Sequence, residues 1–245
     1  MALLNDVIRA ALDSAEKVWG EYGTLLEKAA DIGISAHVDS VPSYIPGHPL
    51  VHEGRTTIGK FIALVADMRN SSEHLLVRRS GHKTELERVY YETSALLPAL
   101  AWQIKEEGGS VTEYLGDGLL ALFDATELQD SIYKAYRAGM GCVTTVREAV
   151  NSELYNRYRV PSLDLGVGLG YSQCVVHLVG LEGERHPKAI GKCVYYATKL
   201  SAGINEVIVD NALKVVWPKK ENGPVSFRPV KMKGVDGFVA ADSRL

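Results

Sequence analysis

Phe61-Ile62-Ala63-Leu64-Val65-Ala66 is an unbroken apolar run that stops on a charge, Asp67. Consecutive apolar residues cannot alternate between core and water. The run therefore predicts a strand covered on both faces, in the middle of a layered sheet. Such a strand needs a large surrounding core, and 245 residues supply one, as a single domain or a domain plus an extension. No disulfide or metal staple is required. The three cysteines, Cys142, Cys174 and Cys193, form no CxxC pair and read as reduced thiols in a cytoplasmic protein. The net charge of −3 excludes the basic field of a nucleic-acid binder. The longest nearly apolar stretch, 95–102, is interrupted by Pro98 and too short for a membrane span. Charge arrives too early at the N-terminus for a secretory signal.

The rest of the chain divides at about residue 58. Over 4–30, Leu4, Val7, Ile8, Leu12 and Leu25 recur at helical spacing, with a break expected near Gly20 and Gly23. Residues 33–58, with Pro42, Pro46 and Pro49, read as a loop or linker. Segment 1–58 is thus an N-terminal helical extension and linker, and 59–245 the main domain. Within it the pattern predicts a helix over 84–107 and a hairpin over 110–115 and 119–123 around Gly116-Asp117-Gly118. A second long helix follows over 127–158. A hairpin over 163–170 and 174–179 then turns at Tyr171-Ser172-Gln173. A polar loop between Glu182 and Lys188, a helix over 192–202, a strand over 206–209, a solvated turn over 219–223 and strands over 225–231 and 237–240 complete the chain. Strands and helices without regular βαβ alternation indicate an α+β fold, a mostly antiparallel sheet with helices packed on it.

The chemistry-bearing positions are two aspartates. Asp67 ends the buried strand, and Asp117 sits at the tip of a hairpin expected to pair beside it. Each alone has an ordinary explanation, a strand-end cap or an Asp-Gly turn. Together, two converging carboxylates repel unless a cation lies between them. Hard divalent ions with oxygen ligands, Mg²⁺ or Mn²⁺, suit such a pair and leave positions open for phosphate oxygens. His82, His177 and His186 lack metal-ligand spacing. His74 is expected near Asp67 on the following helix, without a catalytic role.

The surroundings of the pair carry a resemblance. Residues 61–72, FIALVADMRNSS, resemble the first metal motif of class III nucleotidyl cyclase catalytic domains, and 113–123, EYLGDGLLALF, their second. LGVGLG at 165–170 is similar to their glycine-rich hairpin. AIGKCVYYATKL at 189–200 resembles the segment bearing a transition-state Asn and Arg, and KMKG at 231–234 the late phosphate lysine. The matches run in order through 60–240. The resemblance implies a ferredoxin-like cyclase fold, with 59–245 as the catalytic domain. It further implies a homodimer with active sites between protomers and a nucleoside triphosphate whose 3′-hydroxyl attacks its own α-phosphorus. Two Mn²⁺ or Mg²⁺ ions per site are implied, held by Asp67, Asp117 and the backbone carbonyl of Met68, with Lys233 on phosphate.

The departures from the pattern concern the substrate. Tyr195 stands where the family has Asn and Lys199 where it has Arg, which puts the ordinary purine mechanism in doubt. The base-reading positions are Glu113 and Lys188, matching neither the adenylate nor the guanylate pattern. They either neutralise each other or read a base. A carboxylate beside an ammonium suits the N–H and carbonyls of uracil, and cytosine is not excluded. Tyr44, Tyr114, Tyr195 and Tyr196 are candidates to narrow the pocket to one ring. The construction resembles the bacterial pyrimidine cyclases of Pycsar anti-phage signalling, which implies conversion of UTP, or else CTP, to a cyclic monophosphate acting on a separate effector protein. An adenylate or guanylate cyclase with atypical selectors, and a degenerate domain that binds nucleotide without chemistry, remain the alternatives.

Overall fold

A computed structural model of the chain describes residues 2–22, 40–52, 57–76, 84–180, 184–218 and 225–242. The elements follow in the order α1 (Ala2–Tyr22), β1 (Ser40–Pro42), β2 (Leu50–His52), β3 (Thr57–Met68), α2 (Ser71–Leu76), α3 (Glu85–Glu106), β4 (Ser110–Tyr114) and β5 (Gly118–Asp124). Then come α4 (Leu128–Gly141), a π-helical turn (Cys142–Val146), α5 (Arg147–Tyr158), β6 (Leu165–Val179), β7 (His186–Gly191) and α6 (Lys192–Leu200). The last are β8 (Val207–Val209), α7 (Asn211–Val216), β9 (Val225–Met232) and β10 (Val235–Asp242).

β3 is the strand that the apolar run predicts. Ile62, Leu64, Ala66 and Met68 enter the larger core with α1, α3, α4 and α5, while Phe61, Ala63 and Val65 enter a second core under α6. The sheet runs β4-β5-β3-β6-β8-β10-β9, with β7 on the far part of β6. Among the described residues its one parallel contact is β6 with β8, beside antiparallel pairs, so the α+β architecture is as expected. Leu4, Ile8 and Leu12 of α1 are fully buried in the larger core. The expected helix beyond residue 22 lies outside the described residues, as does the turn at 219–223.

Four expectations needed correction. The segment 163–179 is not a hairpin: Tyr171, Ser172 and Gln173 lie inside one strand, β6. The chain reverses only after Gly180, whose φ of 116° suits a glycine. The expected loop between 182 and 188 is therefore shorter, because β7 begins at His186, and 181–183 lie outside the described residues. The linker holds a small β1–β2 hairpin, and β3 already starts at Thr57. The long helix over 127–158 is interrupted by its π-helical turn.

The alternating glycines of β6 have a packing role. A Cβ on Gly166, Gly168 or Gly170 would stand 2.1 Å from Ser201 O, 2.0 Å from Ala197 O or 2.5 Å from Cys193 O. Those carbonyls belong to α6 and its end. The helix therefore rests on the strand main chain to main chain.

The short helix α7 went unpredicted, although its cap was visible as Asp210-Asn211. Asp210 is 3% exposed, accepting from Leu213 N at 2.7 Å and from Tyr171 N at 3.3 Å. Burial pushes its carboxyl up to about 6 from an ordinary 3.8. A raised folded value stabilises the fold below the unfolded value, and that contribution is lost as pH rises through the folded one. The Asp210→Asn variant should thus gain on the parent by on the order of 2–3 kcal/mol between about pH 4 and pH 7, in urea melts. A difference that does not change with pH would show that burial does not govern this carboxyl.

Candidate active site

Asp67, near the end of β3, stands opposite Gly118 on β5. Asp117 immediately precedes that glycine in the β4–β5 turn, and its backbone carbonyl accepts from Met68 N at 3.2 Å. The left-handed residue of the turn is Gly116, with φ 82°. Gly118 has a different job. A Cβ there would stand 2.5 Å from Ala66 O and 2.9 Å from Asp67 Oδ1, so the missing side chain lets the Asp67 carboxylate lie against β5. The turn is thus served by Gly116, and the Asp-Gly pair is not its ordinary turn dipeptide.

Strand pairing sets the two carboxylates within each other's electrostatic field. Burial pushes the Asp67 carboxyl above its ordinary 3.8; Arg69 opposes this, Asp117 adds to it, and Lys233 opposes it in turn. The guanidinium of Arg69 is bonded to Asp67 Oδ2, and its Nε is buried without a hydrogen-bond partner. Arg69 was missed in the sequence, although it follows Asp67 by two positions. Two acidic groups within each other's field offer the oxygen donors that a hard divalent ion takes, and Arg69 would have to yield Oδ2 of Asp67 to such an ion. Among the described residues there is no group of three or more His, Cys, Asp and Glu placed to hold a metal alone. Ions bound here would need further oxygens, as from phosphates.

Lys233 lies in the β9–β10 turn with Gly234. Their φ angles of 44° and 83° give the doubly left-handed turn that suits a tight hairpin. Tyr195 and Lys199 lie one turn apart on α6 and meet each other, the ammonium 5.8 Å from the ring centroid. Tyr195 is 53% exposed and also packs edge-on against Tyr196. No hydrogen bond or ion pair joins either residue to Asp67 or Asp117 among the described residues.

Glu113 and Lys188, far apart in sequence, form an ion pair of 2.5 Å between β4 and β7. Glu113 also lines a cavity of about 510 Å³ with Tyr44, Tyr114, Lys105 and Thr112. Tyr44 is 81% exposed at its mouth. The two aspartates do not line this cavity.

The His74 ring is engaged by α3. Its Nδ1 lies 2.8 Å from Oε2 of Glu92, a fully buried carboxylate whose Oε1 accepts from Arg88 Nε at 2.8 Å. This cluster ties α2, which follows the Asp67 loop, to α3. Its only sequence signal was the Arg88/Glu92 spacing on one helix face.

Comparison with solved structures decides the architecture. The guanylyl cyclase Cya2 superposes with a TM-score of 0.61 at 22% identity, over 76% of this chain and 92% of that one. The adenylyl cyclase CyaB from P. aeruginosa gives 0.60 at 16% identity, over 78% and 97%. This chain has the class III cyclase fold. A class III adenylyl cyclase-like ATP-binding protein from Pseudomonas aeruginosa shares that fold, with a TM-score of 0.60, 18% identity and 69% and 37% coverage. Among curated proteins, the terminal-differentiation-specific adenylate cyclase of Dictyostelium discoideum is 23% identical over 96 residues, or 39% of this chain. The match spans 4% of that protein's length. No protein-family profile matches the chain. In this chain β3 and the β4–β5 hairpin carry Asp67 and Asp117, and α6 and the β9–β10 turn carry Lys199 and Lys233. No helix among the described residues is long and apolar enough to cross a membrane.

Proposed function

We propose that this chain is a nucleotidyl cyclase that converts UTP, or alternatively CTP, into the 3′,5′-cyclic monophosphate and pyrophosphate. The observation that supports it best is the Asp67–Asp117 pair, held by adjacent strands beside Arg69 and Lys233 on a class III cyclase fold. Asp67, Asp117 and the Met68 carbonyl are the groups that would hold two Mn²⁺ or Mg²⁺ ions. Such ions, when bound, acidify the ribose 3′-hydroxyl and screen the phosphates. The protein's own part is positional: the carboxylates fix the reacting end of the nucleotide, and nucleophile and phosphorus belong to one molecule, which supplies much of the rate by proximity. Lys233 and Lys199 supply positive charge for the leaving pyrophosphate, Lys199 as a point charge without the fork of an arginine. Tyr195 offers a hydroxyl or a packing surface beside it.

For the base, support comes from the Glu113–Lys188 pair, which sets an acceptor and a donor side by side. Uracil presents N3–H between two carbonyls, so its edge can replace both halves of that pair. Tyr44 and Tyr114, exposed beside Glu113, offer faces for one ring. The test is incubation with each of the four nucleoside triphosphates and Mn²⁺, with products identified by mass. Reversing the pair, with Glu113→Lys and Lys188→Asp together, should lower pyrimidine turnover by about 10–100-fold relative to ATP. An unchanged preference would remove these residues from base selection.

Assembly as a homodimer is part of the proposal. Ile58, Val175 and Ile190 face one another across β3, β6 and β7, at 69%, 39% and 56% exposure, an apolar row that a second copy would cover. The anti-phage role and the separate effector rest on the resemblance to pyrimidine cyclases, and the cytoplasmic location on three cysteines without a CxxC pair. A second reading, nucleotide binding without turnover, draws on Tyr195 and Lys199 engaging each other and on the cyclase-like ATP-binding neighbour. Nucleotide binding with no product from any triphosphate would select it.

A further inference from the structure

Cys174 and Cys193 are both buried, at 1% and 0% exposure, with their sulfurs 3.2 Å apart. Cys174 belongs to β6, and Cys193 to the first turn of α6. The chain between them passes through β7, so the two sulfurs close a loop across the base of the helix. The site is shaped around them. A Cβ on Gly191 would stand 2.4 Å from Cys174 Sγ, and Ser172 Oγ accepts from Cys193 N at 2.9 Å, which holds the first turn of α6 against β6. We infer that Cys174 and Cys193 are a dithiol oxidation site, converted by a small hydroperoxide into a disulfide that fastens α6 to β6.

The chemistry assigns a role to each sulfur. Hydrogen bonds from Cys174, Ser172 and the Val194 backbone favour the thiolate of Cys193 against its burial, whereas Cys174 is pushed the other way by its bond to Cys193 and by burial. The Cys193 thiolate attacks the hydroperoxide, ROOH. The O–O bond breaks, ROH leaves after taking up a proton, and Cys193 carries a sulfenic acid. The Cys174 sulfur then attacks the Cys193 sulfur and hydroxide departs, leaving as water with the Cys174 proton. Two thiols and one ROOH thus give one disulfide, ROH and water, with two electrons passing from sulfur to oxygen. Cys142 serves as an internal control, since it lies fully buried in the other core and burial pushes its thiol up to about 12.

The site shares α6 with Tyr195 and Lys199, and its test needs no turnover. The full chain is treated with hydrogen peroxide, denatured, alkylated and mapped by mass spectrometry. The expected result is a loss of two hydrogens, a Cys174–Cys193 linked peptide and an alkylated Cys142, all reversed by dithiothreitol. The Cys142→Ser variant should form the same link. Amide exchange across 192–200 should slow in the oxidised protein and recover on reduction. Linkage through Cys142, linkage between two chains, arrest at sulfenic or sulfinic acid, or intact thiols at doses that oxidise methionine would each overturn the proposal. Unchanged exchange in a linked protein would overturn the fastening of α6.

Discussion

Replacing Asp117 with Ala is expected to abolish the proposed turnover while the fold survives. The side chain is half-buried in the β4–β5 turn, and what ties that turn to β3 is its backbone carbonyl, which accepts from Met68 N and is untouched by the substitution. The left-handed turn residue, Gly116, is also unchanged. Stability should therefore move by less than about 1 kcal/mol, within the range for substitutions away from the core. Chemistry should lose far more. Removing one preorganised charge from a reacting centre costs roughly a hundred- to a thousandfold, and loss of a metal ligand extends that. We expect a fall of a thousandfold or more, to about the detection limit, with Mn²⁺ binding weakened in the same variant by spin-resonance titration. Retained turnover in a folded Asp117→Ala protein would remove the acidic pair from the mechanism.

The largest stability effect is expected at Glu92. Its carboxylate is fully buried and gives one oxygen to Arg88 and the other to His74. Glu92→Ala leaves the 6%-exposed Arg88 without its partner inside the protein. Breaking one side of a buried pair costs about 3–5 kcal/mol, because the remaining charge keeps its desolvation penalty. For a chain of this size that lowers the unfolding midpoint by roughly 10 °C. Glu92→Gln should cost less, since an amide offers one oxygen to Arg88 and one N–H to the His74 ring. Equal losses in calorimetry for the two variants would mean that packing, not the hydrogen-bonded charge, is what Glu92 supplies.

The central layer of this fold was legible because burial leaves a local record. An apolar run at 61–66 can only be a two-sided strand, and the glycines and aspartates beside it lie within a few residues. The spacing on α3 and α4 was equally readable. What escaped depended on partners distant in sequence. Tyr171-Ser172-Gln173 looks like a turn by composition, yet pairing with β3 along its whole length keeps it extended. Gly118 reads as a turn residue, yet its role is to admit Asp67. Arg69 was in plain view, but nothing in a linear pattern says that its guanidinium folds back on the carboxylate two positions earlier. Glu113 and Lys188 carry opposite charges, but nothing in the linear order says that they meet as an ion pair between β4 and β7.

The contact between α6 and the glycines of β6 has a consequence for how such a domain can change its chemistry. Because carbonyl meets bare backbone, the seat of this helix does not depend on what its outward side chains are. Tyr195 and Lys199 project from that seat without supporting it. Exchanging them for other residue types would change the outward face of α6 and leave the mounting undisturbed, so the same frame can present new surfaces at little structural risk.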